Sequence, residues 1–141
     1  MDQLIEFAAN HPMLSSGFVL VLLALVWTEI SRRTQGFSEL TPAQAVPLIN
    51  RADTVILDVS ASAEYGKGHI VGARHVPPSR LDKPDKDIQK WLSSPVLVVC
   101  KAGQAAPAAA SKLVKMGASS VYVLKGGMTA WMADNYPVTR K

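Results

Sequence analysis

A long apolar segment near the start of the chain dominates the hydrophobic pattern. No Asp, Glu, Lys or Arg occurs between Phe7 and Thr28, and residues 17–27 are nearly all Leu, Val, Ala or Phe. As a helix this segment is roughly 33 Å long, enough to cross the hydrocarbon core of a bilayer. It lacks the polar stripe of a helix that packs on a soluble core. The pattern predicts a membrane anchor and linker over residues 1–36, with one transmembrane helix over about residues 10–30.

Charges on either side of the segment bear on its identity and orientation. A signal peptide, the main alternative, needs a positive start and a small-residue cleavage site. Here Asp2 and Glu6 precede the segment, and Trp27-Thr28-Glu29-Ile30 is a poor cleavage site. Arg32 and Arg33 follow it, whereas no Lys or Arg comes before. The positive-inside rule then places the N-terminus outside and the C-terminal domain in the cytoplasm.

Strand-like and helical patterns alternate through residues 37–141, which we predict to form the second domain. Buried strands are predicted at 55–59, 96–99 and 120–124, with a brief strand at 74–76 that Pro77-Pro78 ends. Helices are predicted to begin at Thr41-Pro42 and to cover 85–92, 105–116 and 128–134. This order indicates an α/β fold with a mainly parallel central sheet. Residues 34–39 are predicted to be a short linker.

Composition narrows the classes of function. The chain has 141 residues and a formal charge of +4, with its basic residues scattered among acidic ones. Because no basic run is interleaved with aromatic residues, the sequence argues against nucleic-acid binding. Its single cysteine excludes an intramolecular disulfide and a CxxC site, and it fits a reducing compartment. The histidine spacing supports no metal site, and we expect no cofactor.

That single cysteine, Cys100, falls where the predicted strand 96–99 ends and a short loop leads into a helix. Backbone N–H groups in such a loop point toward a common centre that favours an anion. A cysteine there is stabilised as thiolate, the nucleophilic form. The alternative is a buried and unreactive thiol at a strand end.

Three segments carry a resemblance to a known family. Residues 58–77, DVSASAEYGKGHIVGARHVP, resemble the rhodanese signature in Asp-Val, Glu-Tyr, Gly-His-Ile, Gly-Ala and Pro. Residues 95–103 are similar to the strand and start of its active-site loop, and VYVLKGGMTAW at 121–131 is similar to its closing segment. The whole chain resembles the membrane-anchored single-domain rhodanese-like proteins of bacteria. The resemblance implies a three-layer α/β/α domain and a single-pass protein of the bacterial inner membrane.

The resemblance also implies a sulfurtransferase without a cofactor, in which Cys100 carries sulfane sulfur as a persulfide. The donor would be thiosulfate or a persulfidated protein, and a thiol would accept the sulfur. Asp58 would support the neighbouring loops by hydrogen bonds. The six-residue loop fits sulfurtransferases better than the seven-residue loop of the related phosphatases. The anion would be held by the backbone N–H groups of the loop residues Lys101, Ala102, Gly103, Gln104 and Ala105.

Two positions depart from the family pattern. Ala105 and Ser60 stand where active rhodaneses usually carry arginines. Losing one charge-assisted contact to an anion costs about 1.5–3 kcal/mol, which Lys101 would offset only in part. An alternative function is therefore a catalytically weakened module that docks a partner protein at the membrane. A thiol sensor is a third hypothesis, but the chain has no second cysteine to resolve an oxidised thiol.

Overall fold

The N-terminal unit consists of two helices separated at a proline. The computed structural model describes residues 1–141, which divide into the units Met1–Gln35 and Gly36–Lys141. Helix α1 covers Asp2–Asn10 and helix α2 covers Pro12–Thr34. His11 lies between them with φ −130° and ψ 65°, because the residue before a proline is sterically disfavoured in the helical conformation.

Helix α2 contains the apolar segment. It has 23 residues, a mean hydropathy of 2.0 over its most apolar stretch and no buried side chain. By length and composition it is able to cross a membrane, as the sequence predicts. The helix begins at Pro12 and continues through Arg32 and Arg33 to Thr34, and α1 was not expected. Hydrophobicity marks the apolar centre of such a helix, whereas backbone hydrogen bonding sets its ends.

A five-stranded, fully parallel sheet forms the middle of the second unit. The strands lie in the order β1-β5-β4-β2-β3, and every adjacent pair is parallel. Their bounds are β1 Ser38–Leu40, β2 Val55–Asp58, β3 Arg74–His75, β4 Pro95–Val99 and β5 Ser120–Leu124. The strongest three were predicted from their β-branched apolar runs, and the parallel α/β class is confirmed.

Helices cover both faces of the sheet, which gives the predicted three layers. They are α3 Pro42–Ile49, α4 Ser62–Lys67, α5 Pro78–Asp82, α6 Lys86–Trp91, α7 Ala106–Lys115 and α8 Gly127–Ala133. Alternate strand residues face opposite sides, so Val96 and Val98 pack with α7 in one apolar cluster. Leu97 and Val99 pack with α3 and α8 in the other.

Two short elements correct the sequence-based prediction. Ser38 and Glu39, placed in a linker, form the edge strand β1 together with Leu40, and Glu39 is in register with Val123 of β5. Their sequence, Ser-Glu-Leu, has no strand pattern, so the pairing depends on tertiary structure. Pro77-Pro78 ends β3 as expected, but Pro78 also begins α5. A proline is tolerated in the first turn of a helix because its missing N–H would have no partner there.

Candidate active site

Cys100 follows β4, the central strand, at the carboxyl edge of the sheet. Residues 101–105 then lead into α7, and Pro107 lies in the first turn of that helix. The backbone N–H of Gly103 donates a hydrogen bond to Cys100 Sγ, with an N–S distance of 2.9 Å. Gly103 has φ +81°, a conformation that glycine adopts without steric cost. The loop thus turns a backbone donor onto the sulfur.

The loop carbonyls are held by the start of α8. Met128 N–H donates to the carbonyl oxygen of Cys100 at 2.8 Å. The N–H and Oγ1 of Thr129 both donate to the carbonyl oxygen of Lys101, at 2.9 and 3.0 Å. These bonds fix the loop from behind, which keeps the cysteine in place relative to Gly103.

A cavity of about 280 Å³ opens next to the cysteine. Cys100 is 2% exposed and contributes to the cavity wall. The other lining residues are Val59, Ser60, Ala61, Glu64, Lys101, Ala102, Gln104 and Ala105. Four of the five predicted loop residues therefore line one cavity. The fifth, Gly103, is not in the lining but donates its N–H to the sulfur.

Asp58 lies behind the opposite wall and does not line the cavity. Its Oδ1 accepts a hydrogen bond from the N–H of Ser60 at 2.9 Å and another from the Ser60 hydroxyl. His75 Nε2 lies 2.8 Å from the carbonyl oxygen of Ser60. Asp58 is 1% exposed, and its Oδ2 is buried without a protein partner. Asp58 is thus bonded to Ser60, which lines the cavity.

Glu64 is a charged residue of the cavity that is not among the predicted site residues. Its Oε1 accepts hydrogen bonds from Lys67 Nζ at 3.3 Å and from Lys101 Nζ at 3.4 Å. The Lys67 bond, with a smaller contribution from Lys101, lowers the pKa of Glu64 below its ordinary value. Spacing within α4 hinted at the Lys67 pair, but no local signal pointed to Lys101.

His69 is a buried structural residue. Its Nδ1 lies 2.9 Å from the carbonyl oxygen of Tyr65, and its Nε2 lies 2.8 Å from that of Lys141. Its ring stacks on Tyr65 with 3.7 Å between centroids. With both nitrogens and one ring face occupied, His69 packs the fold beneath the site and has no place in the cavity lining.

Comparison with known proteins identifies a matching family and similar chains. The model of the rhodanese-like domain family matches residues 41–134. The uncharacterized protein YibN of Escherichia coli (strain K12) is 31% identical over 141 residues, covering 99% of both chains. The thiosulfate sulfurtransferase GlpE of Pseudomonas putida (strain GB-1) is 36% identical over 101 residues, which cover 72% of this chain and 89% of the relative.

A solved structure gives the same picture of the fold. The rhodanese-related protein from Thermoplasma volcanium superposes with a TM-score of 0.65 at 26% identity. The match covers 74% of this chain and the whole of the other.

Proposed function

This chain belongs to the rhodanese-like domain family, and from that membership we propose that it is a sulfurtransferase tethered to a membrane. Cys100 would carry sulfane sulfur as a persulfide between a donor and a thiol acceptor. Relatives named thiosulfate sulfurtransferase support the reaction class. The observation that carries the proposal is the hydrogen bond from Gly103 N–H to Cys100 Sγ inside an accessible cavity.

The geometry supports two balanced steps. First, the Cys100 thiolate attacks the sulfane sulfur of the donor; a bond forms between the two sulfurs, and the donor's sulfur bond breaks. With thiosulfate as donor, the electron pair leaves on sulfite and the persulfide anion stays on the enzyme. Second, an acceptor thiolate attacks the outer sulfur of the persulfide, which returns Cys100 as thiolate and yields the acceptor persulfide.

Backbone donors supply the stabilisation that these steps need. Sulfur carries negative charge before and after each transfer, and the N–H of Gly103 is aimed at it. We assign the remaining loop N–H groups, those of Lys101, Ala102, Gln104 and Ala105, to the outer sulfur and the leaving group. Because the loop carbonyls are bound by α8, the donors need no rearrangement when the charge moves.

Mass spectrometry tests the proposal directly. The full-length protein in detergent is incubated with thiosulfate or with a persulfide donor, and the intact mass is recorded before and after addition of a thiol. We expect Cys100 to gain the mass of one sulfur atom and to lose it to the thiol, while Cys100→Ser gains nothing. If no donor adds sulfur to the wild-type protein, the proposed activity is wrong.

A binding module is the second candidate, and the lining of the cavity favours it in one respect. Ser60 and Ala105 add no positive charge there, and the single lining cation, Lys101, is paired with Glu64. If the chain is a module that docks a membrane protein, pull-downs with wild type and with Cys100→Ala should recover equal amounts of the partner. If it is a sulfurtransferase that holds its partner through the thiol, the pull-down with Cys100→Ala should not recover the partner.

For location, we propose a single-pass protein of the bacterial inner membrane with a cytoplasmic C-terminal domain. The composition of α2 and the arginines at its end support this placement. A relative that matches over 99% of its length, including the N-terminal segment, supports the two-part organisation. The tether would keep the Cys100 site near the membrane surface.

A further inference from the structure

The charged groups at the Cys100 cavity form one cluster around Glu64. Among the lining residues only Glu64 and Lys101 are charged. Lys101 Nζ lies 3.4 Å from Glu64 Oε1, so the one lining cation is paired with a carboxylate. Lys67 Nζ lies 3.3 Å from the same oxygen.

Glu64 stays charged under the conditions in which the thiolate reacts. The hydrogen bond from Lys67 lowers its pKa, so the group is a carboxylate at neutral pH. A small anion that enters the cavity toward Cys100 therefore meets a carboxylate in the cavity wall as well as the two lysines that bind it. That carboxylate offsets part of the positive charge of Lys101 and Lys67, and its repulsion grows with each negative charge on the incoming molecule.

We propose that Glu64 is a specificity-determining residue that disfavours doubly charged sulfur donors at Cys100 and favours donors of lower charge, such as alkyl persulfides. The donor class rests on the proposed function. The electrostatic effect on molecules that enter the cavity does not depend on it. The two parts therefore have separate tests.

Alkylation of the single cysteine tests the electrostatic part. Iodoacetate and iodoacetamide have nearly the same size and differ by one negative charge. We expect Glu64→Gln to raise the ratio of the iodoacetate rate to the iodoacetamide rate roughly three- to tenfold at low ionic strength, and salt to reduce the gain. The double variant Glu64→Gln with Lys101→Met should lose most of the gain, because the released cation is then absent.

Asp53→Asn is the matched control. It removes the same charge from an exposed pair, in which Arg51 Nη2 lies 3.1 Å from Asp53 Oδ2. Asp53 precedes β2 and so lies at the sheet edge opposite Cys100. We expect its alkylation ratio to equal that of the wild type. Equal ratios in Glu64→Gln and wild type, equal gains in both variants, or failure of both reagents to reach Cys100 would overturn the proposal.

Steady-state kinetics tests the donor part. Thiosulfate and methanethiosulfonate both present a terminal sulfur to the thiolate; the first releases sulfite and the second methanesulfinate, and each leaves the Cys100 persulfide. Thiosulfate carries one more negative charge. We expect Glu64→Gln to lower KM for thiosulfate roughly three- to tenfold and to change KM for methanethiosulfonate less, with little effect on either kcat.

The outcomes separate the two proposals. A changed alkylation ratio with no sulfur transfer from any donor would refute the proposed activity and leave the electrostatic role of Glu64 standing. Active sulfur transfer with the same KM shift for both donors would refute the role of Glu64 in donor selection and leave the activity standing.

Discussion

At the scale of single residues, Gly127 decides how closely α8 approaches the Cys100 loop. It has φ +58°, and a Cβ at this position would overlap the carbonyl oxygen of Cys100 and lie 2.8 Å from the nitrogen of Gly103. That nitrogen carries the N–H that donates to Cys100 Sγ. Any side chain at residue 127 must therefore displace the loop that holds the sulfur.

Replacing Gly127 with alanine should damage both stability and activity. We expect Gly127→Ala to lower the free energy of unfolding by about 2–4 kcal/mol, from overlap and backbone strain together, and to slow persulfide formation. The control is Gly117→Ala, where φ is +97° but nothing lies within 4 Å of the new Cβ. Strain alone should cost about 1 kcal/mol there and leave persulfide formation unchanged. Urea unfolding in detergent measures the loss of stability, and the rate of sulfur addition measures the loss of activity. Equal effects of the two variants would contradict the predicted role of Gly127.

Residues of the site differ in how far the sequence alone reveals them. Cys100 and Asp58 were predicted because their signals are local: Cys100 directly follows a buried strand and Asp58 ends one. The pair between Glu64 and Lys101 joins positions 37 residues apart along the chain. It forms because β2 and β4 are parallel neighbours, so the segments after them meet at the same edge. Such a contact follows from topology and has no signature in either segment.

At the scale of elements, the start of α6 combines a helix cap with an ion pair. Asp85 Oδ1 accepts the N–H of Ile88 at 3.1 Å, and Asp85 Oδ2 accepts from Arg80 Nε at 2.7 Å. The backbone bond, followed by the arginine, lowers the pKa of Asp85 below its ordinary value. The folded state thus prefers the ionised carboxylate.

The sign of this shift predicts how stability changes with pH. Because the folded pKa is the lower one, the contribution of Asp85 is fully present above the ordinary aspartate range and is lost as pH falls through the folded pKa. We expect Asp85→Ala to unfold at lower urea than wild type at pH 7, and the difference to fade in acid. Asp87→Ala, which leaves the cap in place, serves as the control and should have the smaller effect at pH 7. If the difference in unfolding urea concentration between Asp85→Ala and wild type stays constant down to pH 2, the ionised Asp85 carboxylate is not the source of that stability.

The predicted elements show what sequence patterns capture. Buried strands β2, β4 and β5 have apolar, β-branched runs, and α3 and α7 have proline in the first turn, so their positions follow from local chemistry. The edge strand β1 has Leu40 as its only apolar residue and exists through its pairing with β5. Elements whose stability comes from partners elsewhere in the chain are the ones that local patterns miss.

At the scale of the whole molecule, the two units follow different physical rules. The second unit buries apolar side chains on both faces of its sheet. Helix α2 buries none, although it carries the most apolar stretch of the chain. A helix with exposed leucines, valines and phenylalanines on every side is stable where lipid replaces water. The proposed membrane anchor therefore rests on the contrast between the buried apolar side chains of the second unit and the exposed ones of α2.

Thiol labelling tests the orientation that this assignment predicts. Cys100 is the only cysteine, so an impermeant maleimide reports on one position. We expect it to label Cys100 in sealed inverted membrane vesicles and not in intact cells, because in the proposed orientation the C-terminal end of α2, with Arg32 and Arg33, lies in the cytoplasm. The control moves the cysteine to the other end of the helix pair: Asp2→Cys in a Cys100→Ser background should label in cells and not in inverted vesicles. The reverse labelling pattern in both proteins would show that the topology is opposite to the one proposed. If carbonate washes the protein off the membranes, the proposed membrane anchor is wrong.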